Sequence, residues 1–404
     1  MNDIRTGFYI YPWDLLDPDP AQVITQMAGE LNCNAVAVNA QYHHARLLRP
    51  RADGRKTLHY DRAVAAFEPN SEFYKDSRLL PVGDKDLVQS NVLGASQKAS
   101  KVHNMDFGIW LVGLHNSTLG AVNQELCVEN CFGDVYTYAL CPSQERNQQY
   151  VVGLVKDVCE QFAPDRVILE AVGFLGLRHW VHHELFMTDW DEAQELLTSI
   201  CFCPACIHKG TQAGIDVLAL REQIRWLADL SLNEERGTLP ANFTLGEIPS
   251  MLFEIEGLYE YLQSCSQSVI DLVGRVYEIT KQNGIELEVI PSSFHRPSSR
   301  AYVERVSLKS LSEVCDYLSV SSYFATPAEV EADLRWTTYL APNAKLTAGI
   351  NACAPTAGAV VLEGQVAACL DVDCKGVYFY NFGLLTHKRL AWVTQANASI
   401  LPGR

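Results

Sequence analysis

Short continuous apolar runs recur along the chain, and each ends in a group of polar residues. Residues 6–11 end in Pro12, Trp13 and Asp14, and residues 35–38 in Asn39, Gln41, Tyr42, His43 and His44. Residues 107–114 end in His115, Asn116 and Ser117, and residues 166–169 in Glu170. Residues 285–290, 317–322, 345–350 and 376–380 end in Pro291 and Ser293, Tyr323, Asn351 and Asn381. Strands buried on both faces of a parallel sheet read in this way.

Helical patterns separate most of these runs, over 21–31, 147–162, 326–339 and 362–370. Pro164-Asp165 closes the second, while Thr326 as N-cap and Pro327 in the first turn open the third. Strand–helix alternation predicts a parallel sheet, and eight units predict an α/β fold closed as a (β/α)8, or TIM, barrel. The carboxyl ends of the strands would then gather into one mouth. Two intervals exceed a minimal barrel. Residues 46–100 are polar and read as a long loop after strand two, with a small hairpin. Residues 207–283 carry helical patterns at 215–232, 258–265 and 269–282, a helical insertion between strands four and five.

Composition agrees. The 404 residues are 48% hydrophobic and 20% charged, enough for one large core, and a barrel needs about 250 residues. The net charge of −16, with Lys and Arg scattered apart from Arg46, Arg49 and Arg51, argues against nucleic acid and anionic membrane surfaces as partners. The start, Met-Asn-Asp-Ile-Arg-Thr-Gly, lacks an apolar signal region, and no run approaches the ~18 residues of a spanning helix. Thirteen scattered cysteines fit a reducing cytoplasm, with thiols free or on metal. In that compartment Asn116-Ser-Thr and Asn397-Ala-Ser are not glycosylation sites.

Glu170 is the first candidate for chemistry. A carboxyl at the end of strand four faces the mouth, and its apolar neighbours Leu169 and Phe174 would raise its pKa toward proton donation. The plain alternative is a strand-end glutamate paired with arginine. His43, His44, Arg46, His115, Asn116 and Asn351 offer donors and acceptors suited to sugar hydroxyls; Trp13, Tyr42, Trp180, Tyr323 and Tyr380 offer stacking faces. Any one of these histidines could equally be a satisfied structural donor.

His179, His182, His183 and Glu184 are the densest titratable group. On a helix, His179 and His183 share a face as a metal pair would, but the order differs from the zinc-protease His-Glu-x-x-His. Substrate contact, acid–base work and a plain polar loop stay open. Cys201, Cys203 and Cys206 put three thiols in six residues. A tetrahedral zinc site needs a fourth ligand, for which Cys131 comes first, then Cys127, Cys141 and His208. Free cysteines at a helix start are the alternative.

A carboxylate after strand four with Cys-x-Cys-x-x-Cys downstream resembles the family 42 β-galactosidases and related glycoside-hydrolase-like barrels. Leu140-Cys-Pro-Ser143 and the final 376–383 run recur in such barrels too. The resemblance implies Glu170 as acid/base, and Cys201, Cys203 and Cys206 around a structural zinc with a fourth, upstream cysteine. Two positions depart from the family. Leu169 stands where it has Asn, and strand seven ends Ile350-Asn351-Ala352 with no nucleophilic acid. The second carboxylate must come from Asp14, Glu184, Asp189 or Asp191; Glu286 and Glu288 fall inside strand five.

The leading expectation is hydrolysis of a small sugar or glycoside, with Glu170 as general acid and Glu184 or Asp14 as its partner. Two other readings stand beside it. One is a metal-assisted sugar isomerase, epimerase or lyase using His115, Glu170 and His183. The other is a carbohydrate-binding barrel without catalysis. Association into a homo-oligomer is left open.

Overall fold

The computed structural model describes residues 4–16, 19–178, 191–233 and 246–400. Eight parallel strands form its centre: β1 (Arg5–Ile10), β2 (Ala35–Tyr42), β3 (Asp106–Val112), β4 (Arg166–Glu170), β5 (Glu286–Val289), β6 (Tyr317–Ser321), β7 (Lys345–Asn351) and β8 (Gly376–Tyr380). Each pairs with its sequence neighbours, and β1 hydrogen-bonds to both β2 and β8, with Gly7 opposite Ala35 and Tyr378. The sheet is closed, a (β/α)8 barrel. All eight predicted strands are present, shifted by a residue or two at their ends. β2 alone runs on further, through a bulge between Asn39 and Gln41.

Helices α1 (Pro20–Gly29), α2 (Val92–Val102), α3 (Glu145–Phe162), α4 (Leu258–Gln282), α5 (Leu308–Leu311), α6 (Pro327–Leu340), α7 (Ala359–Asp371) and α8 (His387–Asn397) follow the strands in turn. Thr326 caps α6 through a reciprocal box with Glu329, and Pro327 opens its first turn, as the sequence predicts. The polar interval after β2 contains the hairpin Ala45–Leu48 with Thr57–Tyr60, and α2, a helix of the barrel itself, begins near its end. The 207–283 interval likewise ends in a barrel helix, α4. The pattern there predicts two helices, whereas α4 is one helix of 25 residues. The break fell on Ser266 and Ser268, which are polar but buried; Ser268 Oγ receives hydrogen bonds from Ser143 and Lys209 at 3.0 and 2.7 Å. A second hairpin, Cys127–Glu129 with Val135–Leu140, follows β3 and was not foreseen. Among the described residues no helix is long and apolar enough to cross a membrane.

The floor of the barrel is charged. Arg166, the first residue of β4, is fully buried and contacts Asp106 and Glu288 at 2.6 Å each. Its guanidinium lies 5.0 Å from the centre of the Tyr378 ring, and Thr347 Oγ1 donates to Glu288 at 2.5 Å. Arg5 joins Asp106 to Glu286 at the same end. Glu288 therefore points inward, but to the floor, where it neutralises Arg166 instead of facing the mouth. Removing one partner of a buried ion pair strands the other, at a cost of about 3–5 kcal/mol. Arg166→Met should accordingly lower the urea midpoint by an amount equivalent to at least ~3 kcal/mol. A loss below ~1 kcal/mol would show that the floor pairs do not anchor the barrel.

Candidate active site

Side chains from all eight strands or the loops just beyond them line a cavity of about 320 Å³ at the carboxyl end. In a strand, alternate residues face opposite sides. In β4 this sends Val167 and Leu169 out to the helices and Arg166, Ile168 and Glu170 inward. The same parity in β1 and β3 presents Tyr9 and Trp110 to the cavity, which they line together with Tyr11 beyond β1.

Glu170 forms part of the cavity wall, with Trp110 Nε1 donating to its Oε2 at 2.8 Å. Desolvation raises its pKa to about 7, countered by the Trp110 hydrogen bond and by Arg296, and reinforced by the negative charge of Glu304. The carboxyl can thus hold a proton near neutrality and release it. Ala171, immediately after it, has φ +57°, in the left-handed region that non-glycine residues seldom occupy and that often marks functional sites.

Tyrosines make up much of the wall. Tyr11 Oη hydrogen-bonds to the hydroxyls of Tyr42 at 2.9 Å and Tyr380 at 2.5 Å. The Tyr323 and Tyr380 rings are 5.5 Å apart. Arg296 lies over Tyr323 at 4.4 Å and donates from Nε to the Ser321 carbonyl at 3.0 Å. On the β2 and β3 side, His43 Nδ1 is 2.9 Å from His44 Nδ1, and the His43 ring stacks on His115 at 3.8 Å.

Of the residues singled out from sequence, His43, His44, Arg46, His115, Glu170, Tyr323, Asn351 and Tyr380 line this cavity, as does Tyr42. Three others do not. Trp13 is buried between the rings of Tyr11 and Tyr60, stacked at 4.7 and 5.2 Å. Asn116 caps a short helix through Leu119 N at 2.9 Å and donates to Tyr150 Oη. Asp14 pairs with Arg49 Nε at 2.7 Å. It packs under the turn after β8, where a Cβ on Gly383 would fall 1.9 Å from its carboxylate. Burial raises its pKa to about 6 against the pull of Arg49, but it has no face on the cavity. His179, Trp180, His182, His183, Glu184 and Asp189 lie outside the described residues. Asp191 caps the helix Glu192–Ser199.

Sequence reasoning missed Tyr9, Tyr11, Trp110, Ser293, Phe294 and Arg296. Strand parity alone would have found Trp110, four residues past Asp106 on the same face. Among the described residues Glu170 is the one carboxylate lining the cavity.

A second cluster lies outside the cavity. The thiols of Cys141, Cys201, Cys203 and Cys206 are buried, with all sulfurs within 4.8 Å of one another. Cys141 Sγ is 3.6 Å from Cys206, 3.6 Å from Cys203 and 3.9 Å from Cys201. Tetrahedral coordination with metal–sulfur bonds near 2.3 Å requires sulfurs about 3.8 Å apart, so this group could bind a metal. Its fourth thiol is Cys141, not Cys131. The hairpin after β3 reverses the chain and carries Cys131 in its turn, while its outgoing strand delivers Cys141 to the 201–206 segment.

No protein-family model matches the chain, and no curated protein matches its sequence. Solved structures do match its fold. The glycoside hydrolase domain of PgaB (BpsB) from Bordetella bronchiseptica is 12% identical, with a TM-score of 0.58 over 97% of this chain and 98% of that one. A β-galactosidase from the psychrophilic Marinomonas ef1 is 9% identical, with a TM-score of 0.57 over 98% of this chain and 59% of that one. The α-L-fucosidase isoenzyme 2 from Paenibacillus thiaminolyticus is 10% identical, with a TM-score of 0.56 over 98% and 49%. The chain thus spans 59% and 49% of the length of the last two. At such identities the likeness establishes the barrel, and chemistry has to be argued from the site.

Proposed function

We propose that the protein cleaves a glycosidic bond in a small sugar or glycoside, with Glu170 as the general acid. The observation that carries this is a carboxyl poised near pH 7 at the end of β4, held by an indole N–H and facing an aromatic-walled cavity. Glu170 would protonate the departing oxygen as the bond breaks. Tyr323, Tyr380 and Trp110 would stack on sugar faces, while His43, His44, His115, Arg46 and Asn351 would take the hydroxyls. The fold neighbours named above, described as glycosidases, support the reading by analogy. Glu184 and Asp189 are the proposed sources of the second carboxylate, as nucleophile or as base for water, depending on separation.

A sugar-binding barrel without turnover is the second reading, favoured by Glu170 being the one carboxylate on the described cavity wall. A metal-assisted isomerase, epimerase or lyase would use His115, Glu170 and His183, and the donors spaced for a metal among the described residues are the cysteines.

The test is a panel of nitrophenyl and unactivated glycosides assayed with the parent and Glu170→Gln. Loss of a general acid costs about 10²–10⁴-fold in kcat, and less for nitrophenyl substrates, whose leaving groups need little protonation. The acid must carry its proton, so the parent rate should fall as pH rises through about 7. Full activity of Glu170→Gln on an unactivated substrate refutes the assignment; tight sugar binding without turnover by the parent favours the second reading.

We also propose that Cys141, Cys201, Cys203 and Cys206 hold a structural zinc, as the family 42 resemblance implies for the last three. Zinc bound there would supply a cross-link and no catalysis, since four protein ligands leave no open position. Metal analysis should find one zinc per chain, absent from Cys203→Ser, whose melting temperature should fall by several degrees. Zinc retained in full by that variant would contradict the ligand set.

A further inference from the structure

Beside the cavity, three titratable groups are buried in a row. His295 Nε2 lies 2.9 Å from Glu195 Oε1, and His295 Nδ1 lies 2.9 Å from Glu304 Oε1. All three side chains are at most 3% exposed. A carboxylate only accepts hydrogen bonds, so an imidazole between two of them donates from both nitrogens and is the charged imidazolium. Arg300 adds a second cation to Glu195 at 2.9 Å. The row therefore holds two negative charges and the imidazolium out of water, with the partly exposed Arg300 as a second cation at its edge, an arrangement that persists only with near-complete pairing.

Its members come from two separate segments. Glu195 is on the helix Glu192–Ser199 in the insertion after β4, while His295 and Glu304 are on the loop after β5. Glu304 takes hydrogen bonds from the backbone N–H of Ser293 at 3.3 Å and of Phe294 at 3.2 Å, two residues of the cavity wall. Its carbonyl accepts from Phe174 N at 2.9 Å, in the loop leaving Glu170. The approach is so close that a Cβ on Gly173 would fall 2.5 Å from that carbonyl.

We propose that His295 is a positioning residue: clamped as a cation between Glu195 and Glu304, it bolts the loops after β4 and β5 together, and Glu304 in that bolt contributes to the field in which Glu170 holds its proton. This rests on Glu170 being the acid of the proposed reaction. The groups acting on Glu170 are known from each side. Trp110 donates to it, Ser293 also lowers its pKa, Arg296 and Glu304 act on it by charge, and its own charge is felt by the phenols of Tyr42, Tyr323 and Tyr380. Replacing Glu304 with Gln removes the like charge and leaves His295 paired to Glu195. Loss of that charge favours ionised Glu170, so its proton should be lost at lower pH.

The Trp110 indole N–H reports that event directly, with no need of a substrate. In protein carrying 15N-labelled tryptophan, with the signal assigned by Trp110→Phe, its shift should titrate near pH 7. In Glu304→Gln the midpoint should move down by ~0.5 pH unit or more. In His295→Gln, amide exchange across residues 171–177 and 291–305 should quicken at least tenfold, with α7 unaffected. If Glu304→Gln does not fold, the exchange result decides alone. An unmoved midpoint or unchanged exchange in a folded variant overturns the inference and leaves the acid assignment intact. An indole in the parent that does not titrate between about pH 5 and 9 overturns the acid assignment, and this inference with it.

Discussion

Closure of the sheet is the constraint on which everything else in this molecule depends. Because β1 hydrogen-bonds to β8 as well as to β2, the ring has no free edge, and eight strand ends from across the chain converge on one mouth. Side-chain parity then divides the interior into layers. Arg166 and Glu170 face the same way on one strand, about 13 Å apart along it. The first is matched with carboxylates on the floor, and the second stands among tyrosines at the rim. One five-residue strand thus carries both the charge that ties the barrel together and the carboxyl proposed to do its chemistry.

The sequence made this frame legible because parallel strands buried on both faces leave unmistakable apolar runs, and Glu170 was visible as the polar residue that ends one. What it concealed were features set by packing between distant segments. Trp110 looks like one more apolar position in its run until strand parity turns it toward Glu170. His295 and Glu195 are a hundred positions apart, and no local pattern joins them. Asp14 and Trp13 follow a strand as mouth residues should, but the 3-10 turn Pro12–Leu15 carries them into the packing beneath the Arg49 hairpin. Cys131 and Cys141 were indistinguishable by spacing alone; the hairpin between them decides which one reaches the other three thiols.

The insertion after β4 supports the cavity wall without lining it: Glu195 holds His295, on the loop that supplies Ser293 and Phe294 to that wall. Glu195 and Cys201 are six positions apart, so the segment that grips His295 runs directly into the buried thiol cluster. Metal at those thiols would stiffen the same segment that supports the loop after β5. A carboxyl holds a raised pKa only while its surroundings keep water out and charges fixed, and rigid supports around Glu170 suit that requirement.

The central claim, that Glu170 meets the bond to be broken, is tested most directly by a crystal structure with a thio-linked glycoside that resists cleavage. The account predicts a sugar ring against the tyrosines of the mouth and a Glu170 carboxyl oxygen about 2.6–3.2 Å from the bridging sulfur, or slightly more to allow for its size. A ligand seated in the cavity with that sulfur turned away from Glu170, or bound elsewhere on the barrel, would contradict it.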